Sequence, residues 1–182
     1  RAETGRLYVE DPSQLHAIRI ATTDFDHWKY RVWIPEARGY WLWTEHQNIP
    51  DEDFPEQGSG GTLEPGEHVI ELKLTEQPDD SNRLQMAVIV DGRLSSTTTL
   101  YERKEDWIDN DEVGGRVASA RGVGSEVATS KPDKPFTLLR YRTQKPVVLR
   151  RDAAGKVSSH RLQRIEEPTD GVMLWIAPVE GL

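Results

Sequence analysis

The chain has 182 residues, 36% hydrophobic and 30% charged, with no cysteine and a formal net charge of −8. That length supports one domain with a substantial core. The lack of cysteine excludes disulfides, thiolate metal sites and a cysteine nucleophile; the acidic balance argues against general nucleic-acid binding; and no apolar run approaches the roughly eighteen residues that span a membrane.

From the N-terminus, short alternating runs separated by turn residues predict a mostly β chain. The first predicted strands are 6–10, 15–21, 28–34 and 40–46. The third and fourth fall in WKYRVWIPEARGYWLW (28–43), which holds four of the six tryptophans and two of the five tyrosines. With 35–39 as the turn of a hairpin, Ile34 faces Tyr40. Trp28, Tyr30, Val32 and Ile34 then share a core face with Tyr40, Leu42 and Thr44, and His46 falls beside Trp28. The other face pairs Lys29 with Glu45, Arg31 with Trp43, and Trp33 with Trp41. These are an ion pair, a cation–π contact and an aromatic pair, each worth about 0.2–1 kcal/mol. Lys29, Arg31, Trp33, Trp41 and Trp43 are therefore the candidate ligand-binding residues. Flat rings stack on sugars and the cations bond hydroxyls, unless another sheet, the following loop or a partner strand covers this face.

Residues 47–65 are acidic and rich in Pro and Gly, and GSGG (58–61) reads as a mobile linker. Strands 67–74, 83–90 and 94–101 follow. Asp91-Gly92 marks a tight turn. A three-residue loop pairs Val88 with Ser96 and Met86 with Thr98 and is preferred to the two-residue alternative, which shifts the register by one. One helical turn is predicted over 101–108, where Leu100, Lys104 and Trp107 share a face. Residues 109–134 form a second long loop with little period. Strands 135–142, 146–151, 156–163 and 172–177 complete the chain, and 164–171 leads into the last. About ten strands with tight turns make an antiparallel sandwich, immunoglobulin-like or jelly-roll-like, spanning 1–182 as one domain.

The charges are unevenly distributed. Residues 1–130 carry 25 acidic and 13 basic side chains, whereas 131–164 carry 10 basic and 2 acidic. The basic segment, with Arg140, Arg142, Arg150, Arg151, Lys156, Arg161 and Arg164, either lies against the acidic remainder, guards a sheet edge or meets an anionic polymer or lipid headgroups. Metal chemistry finds little support. His27 and His46 come together with Asp26 in the hairpin register, but no tight ligand spacing supports zinc. The acids 109–112 and 51–53 lack the order of a calcium loop. No nucleophile elbow, zinc-protease motif or phosphate loop is present, so no catalytic residue, metal or cofactor is assigned.

PGEHVIELKL (65–74) followed by AVIVDGRL (87–94) resembles the PG-x-H-x-I and V-D-G strand patterns of extracytoplasmic bacterial β-sandwich modules. The whole layout, with its RLYVEDP start, is similar to anchored bacterial envelope proteins of unknown function. The resemblance implies a periplasmic or envelope location. It also implies attachment through a removed N-terminal segment, in keeping with a chain that begins at Arg1 rather than methionine. The expected role is a non-catalytic interaction module for a carbohydrate, an envelope polymer or a protein. The alternatives are a glycan hydrolase using paired carboxylates and a structural ectodomain that oligomerises.

Overall fold

A computed structural model of the chain describes residues 5–79, 82–103 and 107–179, without the side chains of 101–103. Fifteen strands are formed among them: β1 (Leu15–Ile20), β2 (His27–Ile34), β3 (Tyr40–Glu45), β4 (Ser59–Leu63), β5 (Gly66–Glu76), β6 (Arg83–Val90), β7 (Arg93–Arg103), β8 (Asp109–Asn110), β9 (Gly115–Arg116), β10 (Ala118–Gly122), β11 (Ala128–Ser130), β12 (Phe136–Thr143), β13 (Lys145–Arg151), β14 (Val157–Gln163) and β15 (Gly171–Pro178). A six-stranded sheet has the order β11-β1-β2-β5-β6-β7, and a five-stranded sheet the order β10-β12-β15-β3-β4. All named pairings are antiparallel. The two sheets form a β-sandwich. β13–β14 and β8–β9 make separate two-stranded ribbons.

Period-two alternation decides which residues enter the core. In β2 the even positions Trp28, Tyr30, Val32 and Ile34 are buried and the odd ones half-buried, while β3 buries Tyr40, Leu42 and Thr44. These side chains join Ile70, Leu72, Leu84, Met86 and Val88 of the six-stranded sheet and Leu138, Tyr141, Val172, Leu174 and Ile176 of the five-stranded sheet in one core cluster, apart from Thr44. Trp28 packs on Tyr141 at 4.9 Å between ring centroids, carrying the contact from one sheet to the other.

The expected 28–46 hairpin is not formed. β2 pairs with β1 and β5, and β3 pairs with β15 and β4. The five residues 35–39 therefore make an arch from one sheet to the other instead of a turn within one sheet. A hairpin would set the two apolar faces side by side, whereas the arch sets them facing each other across the core. Both satisfy the same alternation, so the core faces were read correctly and the pairing was not.

At Asp91-Gly92 both proposed registers occur. The two residues have φ of 51° and 76°, the left-handed values of a two-residue turn. Val90 pairs with Arg93 and Ile89 with Leu94, until a bulge restores the predicted Val88–Ser96 and Met86–Thr98 pairs.

Three further expectations change. Residues 6–10 form no strand. Within 47–65 lies β4, and within 109–134 lie β8 to β11. β10 borders β12 and β11 borders β1, so this segment completes one edge of each sheet. Strands of two to five residues are too short to leave a legible period. Of the helical turn expected over 101–108, Tyr101 to Arg103 belong to β7 instead, and 104–106 lie outside the described residues.

Candidate functional site

The six residues Gly171 to Ile176 of β15 are all buried, the mark of a strand covered on both faces. Val172, Leu174 and Ile176 enter the main core. Met173 and Trp175 turn outward and, with Ile49, form a second cluster against which Trp43, Phe54 and Ala177 pack. The outer face of the five-stranded sheet thus has its own small apolar layer, supplied by the loop that follows β3.

Register sets out this layer. Trp175 pairs with Trp43, and Ala177 with Trp41. Across the other edge of β3, Trp43 pairs with Gly60. Trp41 and Trp43 lie 5.0 Å apart, Trp43 and Trp175 stack at 6.3 Å and 14°, and Phe54 meets Trp175 at 6.1 Å. Two of the three glycines of GSGG, Gly58 and Gly60, are required by these rings and the adjoining backbone. A Cβ on Gly60 would stand 2.5 Å from the Leu42 carbonyl oxygen and 3.0 Å from the Trp43 ring, and one on Gly58 would stand 2.9 Å from the Trp175 ring. The indoles occupy space that side chains would take, and the glycine-rich stretch is an edge strand held beneath them.

Arginines hold the covering loop down. Asp51, 9% exposed, accepts from Arg121 Nη2 at 2.8 Å, from Arg142 Nη1 at 2.6 Å and from Arg164 Nε. Arg142 also donates to the carbonyls of Ile49, Ile165 and Glu167, and Arg140 to those of Pro50 and Asp53. Arg140 and Arg142 are 8% and 4% exposed, so these charge-assisted bonds replace the water both have lost. Burial pushes the Asp51 carboxyl up, but the Arg164 hydrogen bond and the charges of Arg142, Arg164 and Arg121 outweigh it and hold the group below its ordinary value. For these arginines the basic segment does lie against the acidic remainder. Lys145 to Arg151 and Val157 to Gln163 instead form the outlying β13–β14 ribbon, where Arg151 pairs with Glu112.

Beside the clamp the loop leaves a groove of about 500 Å³, lined by Glu45, Gln47, Asn48, Phe54, Glu56 and Gln57 among others. Amides donate and accept, carboxylates accept, and Phe54 offers an apolar face. Trp41 and Trp43 stand half-buried on the same sheet face.

The five sequence-predicted residues are split between the two outer faces of the sandwich. Trp41 and Trp43 belong to the face just described. Lys29, Arg31 and Trp33 lie on the outer face of the six-stranded sheet, each with a local partner. Lys29 Nζ is 3.5 Å from Glu71, Arg31 Nη1 is 2.8 Å from Glu67, and Trp33 Nε1 donates to the Pro12 carbonyl at 3.0 Å. The Lys29–Glu45, Arg31–Trp43 and Trp33–Trp41 pairs are replaced because β2 and β3 lie in different sheets. His27 bonds Glu71 and His46 lies beside Glu45, while Asp26 is taken by Arg116. Among the described residues no group of three or more His, Asp or Glu is placed to hold a metal ion. Sequence reasoning missed Trp175, Phe54 and the arginine clamp. The unbroken apolar run VMLWIA was the available signal, since a strand apolar on both sides needs a cover on both sides.

No family model matches the chain, and no curated protein or solved structure matches it.

Proposed function

We propose that this chain is a non-catalytic binding module that takes a carbohydrate on the outer face of its five-stranded sheet. The observation that carries the reading is the half-buried Trp41–Trp43 pair on the same face as a groove lined with amides and carboxylates. A sugar offers an apolar C–H face to an aromatic ring and hydroxyls to amide and carboxylate groups, and both kinds of partner are present. Trp43 is backed by Trp175 and Gly60, so its orientation is fixed before any ligand arrives. The bacterial envelope location, with attachment through an upstream segment, rests on the resemblance of 65–74 and 87–94. Among the described residues no helix is long and apolar enough to cross a membrane.

Titration of the protein with a panel of neutral and acidic glycan oligomers, followed by tryptophan emission, tests the binding. A saturable shift with at least one oligomer is expected. Trp41→Ala should weaken it about tenfold or more, equivalent to about 1.4 kcal/mol, while leaving the thermal midpoint nearly unchanged. Silence across the panel would overturn the reading, as would turnover of a bound oligomer its non-catalytic part. Fractionation of the native host that returned the protein with the cytosol would overturn the envelope assignment.

A further inference from the structure

A second cavity, on a different part of the molecule, has a recognition chemistry of its own. β1 runs Leu15, Ala17, Arg19 on its inward side; the first two are fully buried, and Arg19 pairs across the ladder with Tyr30, itself 1% exposed. The core-facing row of β1 thus ends in an arginine. Its backbone N–H donates to Gly124 O at 2.8 Å, which brings the 124–125 segment over the end of the strand. There the sandwich opens into a cavity of about 490 Å³ lined by Arg19, Thr22, Thr23, Asp24, Phe25 and Ser125, with small residues between them.

Two features of this cavity leave recognition chemistry facing it. The first is the Arg19 guanidinium. It is half-buried and acts electrostatically on the buried Tyr30 phenol, yet no carboxylate or carbonyl takes a bond from it among the described residues. The arginines buried beneath the covering loop behave differently, since Arg140 donates to two acceptors and Arg142 to four. A partly desolvated cation without an anion is costly and is relieved by binding one. The second is Phe25, which is 86% exposed at the cavity rim and has the Arg116 guanidinium 5.8 Å from its ring centroid. Burying such a ring against a ligand yields free energy that the folded chain leaves unrealised.

We propose that this cavity binds a small organic anion, a carboxylate or a phosphate monoester, whose charged group pairs with Arg19 and whose flat apolar part lies on Phe25. Thr23 and Ser125 supply hydroxyl donors to the remaining anion oxygens. Asp24, exposed at the rim, disfavours a ligand with a second anionic group at its outer end. The cavity lies apart from Trp41 and the 47–57 loop, so this proposal stands or falls independently of the carbohydrate reading.

Phenylacetate and phenyl phosphate serve as probes, with phenylacetamide as the neutral control, read by amide chemical shifts of 19–25 and 124–125. At least one anion should give saturable shifts confined to these amides, and the amide control none. Whichever anion binds more tightly identifies the source of the charge. Arg19→Gln should weaken binding about tenfold or more. Phe25→Ala, which removes only an exposed cation–π contact with Arg116, should weaken it about threefold or more with little change in the thermal midpoint. The proposal is overturned if neither anion shifts these amides at millimolar concentration, or if both variants bind as the parent does.

Discussion

Replacing Asp51 with asparagine removes one negative charge while keeping the shape of the side chain. Three guanidiniums donate to that carboxylate, from Arg121, Arg142 and Arg164. Removing one partner of a buried ion pair costs about 3–5 kcal/mol in general, but two features reduce the figure here. Arg142 keeps the carbonyls of Ile49, Ile165 and Glu167 as acceptors, and the side chains of Arg121 and Arg164 are 48% and 50% exposed, so water screens them. A loss of about 2 kcal/mol remains, which lowers the thermal midpoint of a chain this size by about 4–8 °C. The pH dependence has a definite sign. The Asp51 carboxyl is held below its ordinary value of 3.8 in the folded chain, so its contribution is complete above that value and is lost as pH falls through the lower folded one. The difference between parent and variant should therefore be full at pH 7 and shrink in the acid range below 3.8. Differential scanning calorimetry across pH measures both quantities. Release of the loop should also expose Trp175, now 6% exposed beneath Phe54, and move tryptophan emission to longer wavelength. An asparagine variant with the parent's midpoint at pH 7 and unchanged emission would refute the idea that this carboxylate holds the cover in place.

Gly60→Ala should cost about 1–3 kcal/mol, because its methyl meets the Leu42 carbonyl and the Trp43 ring. Near-UV circular dichroism should report the displaced indole, and an alanine variant as stable as the parent would contradict the packing account of GSGG. Ile70→Ala, at a fully buried position of the central strand β5, should cost about 2–5 kcal/mol in urea unfolding. It should leave carbohydrate affinity intact, since β5 lies in the other sheet from Trp41 and Trp43.

The prediction of an all-β chain survived at the level of individual strands because alternation is a local property. WKYRVWI and YWLWT state their inward and outward residues within a few positions, and burial follows that statement in both strands. The β6–β7 turn was legible for the same reason. Asp-Gly tolerates positive φ at both places, and only the bulge that reconciles the two registers escaped notice. The acidic loop and the GSGG stretch were misread as a mobile linker because glycine signals flexibility in isolation. Here it signals space surrendered to Trp43 and Trp175, and Trp175 enters more than a hundred residues later.

Local periodicity in the chain thus assigns the inward side chains of β2 and β3, the place of the clearest tight turn and the segment with the surplus of positive charge. Which strands become neighbours is settled by long-range packing. A hairpin and an arch over 35–39 bury the same residues equally well, so the choice between them rests on the competing offers of β5 and β1 for β2, and of β15 and β4 for β3. That choice sent Lys29, Arg31 and Trp33 to one outer face and Trp41 and Trp43 to the other. It also brought Trp175, Phe54 and four arginines to the tryptophans' side. Such contacts join residues far apart in the chain, and no local periodicity records them.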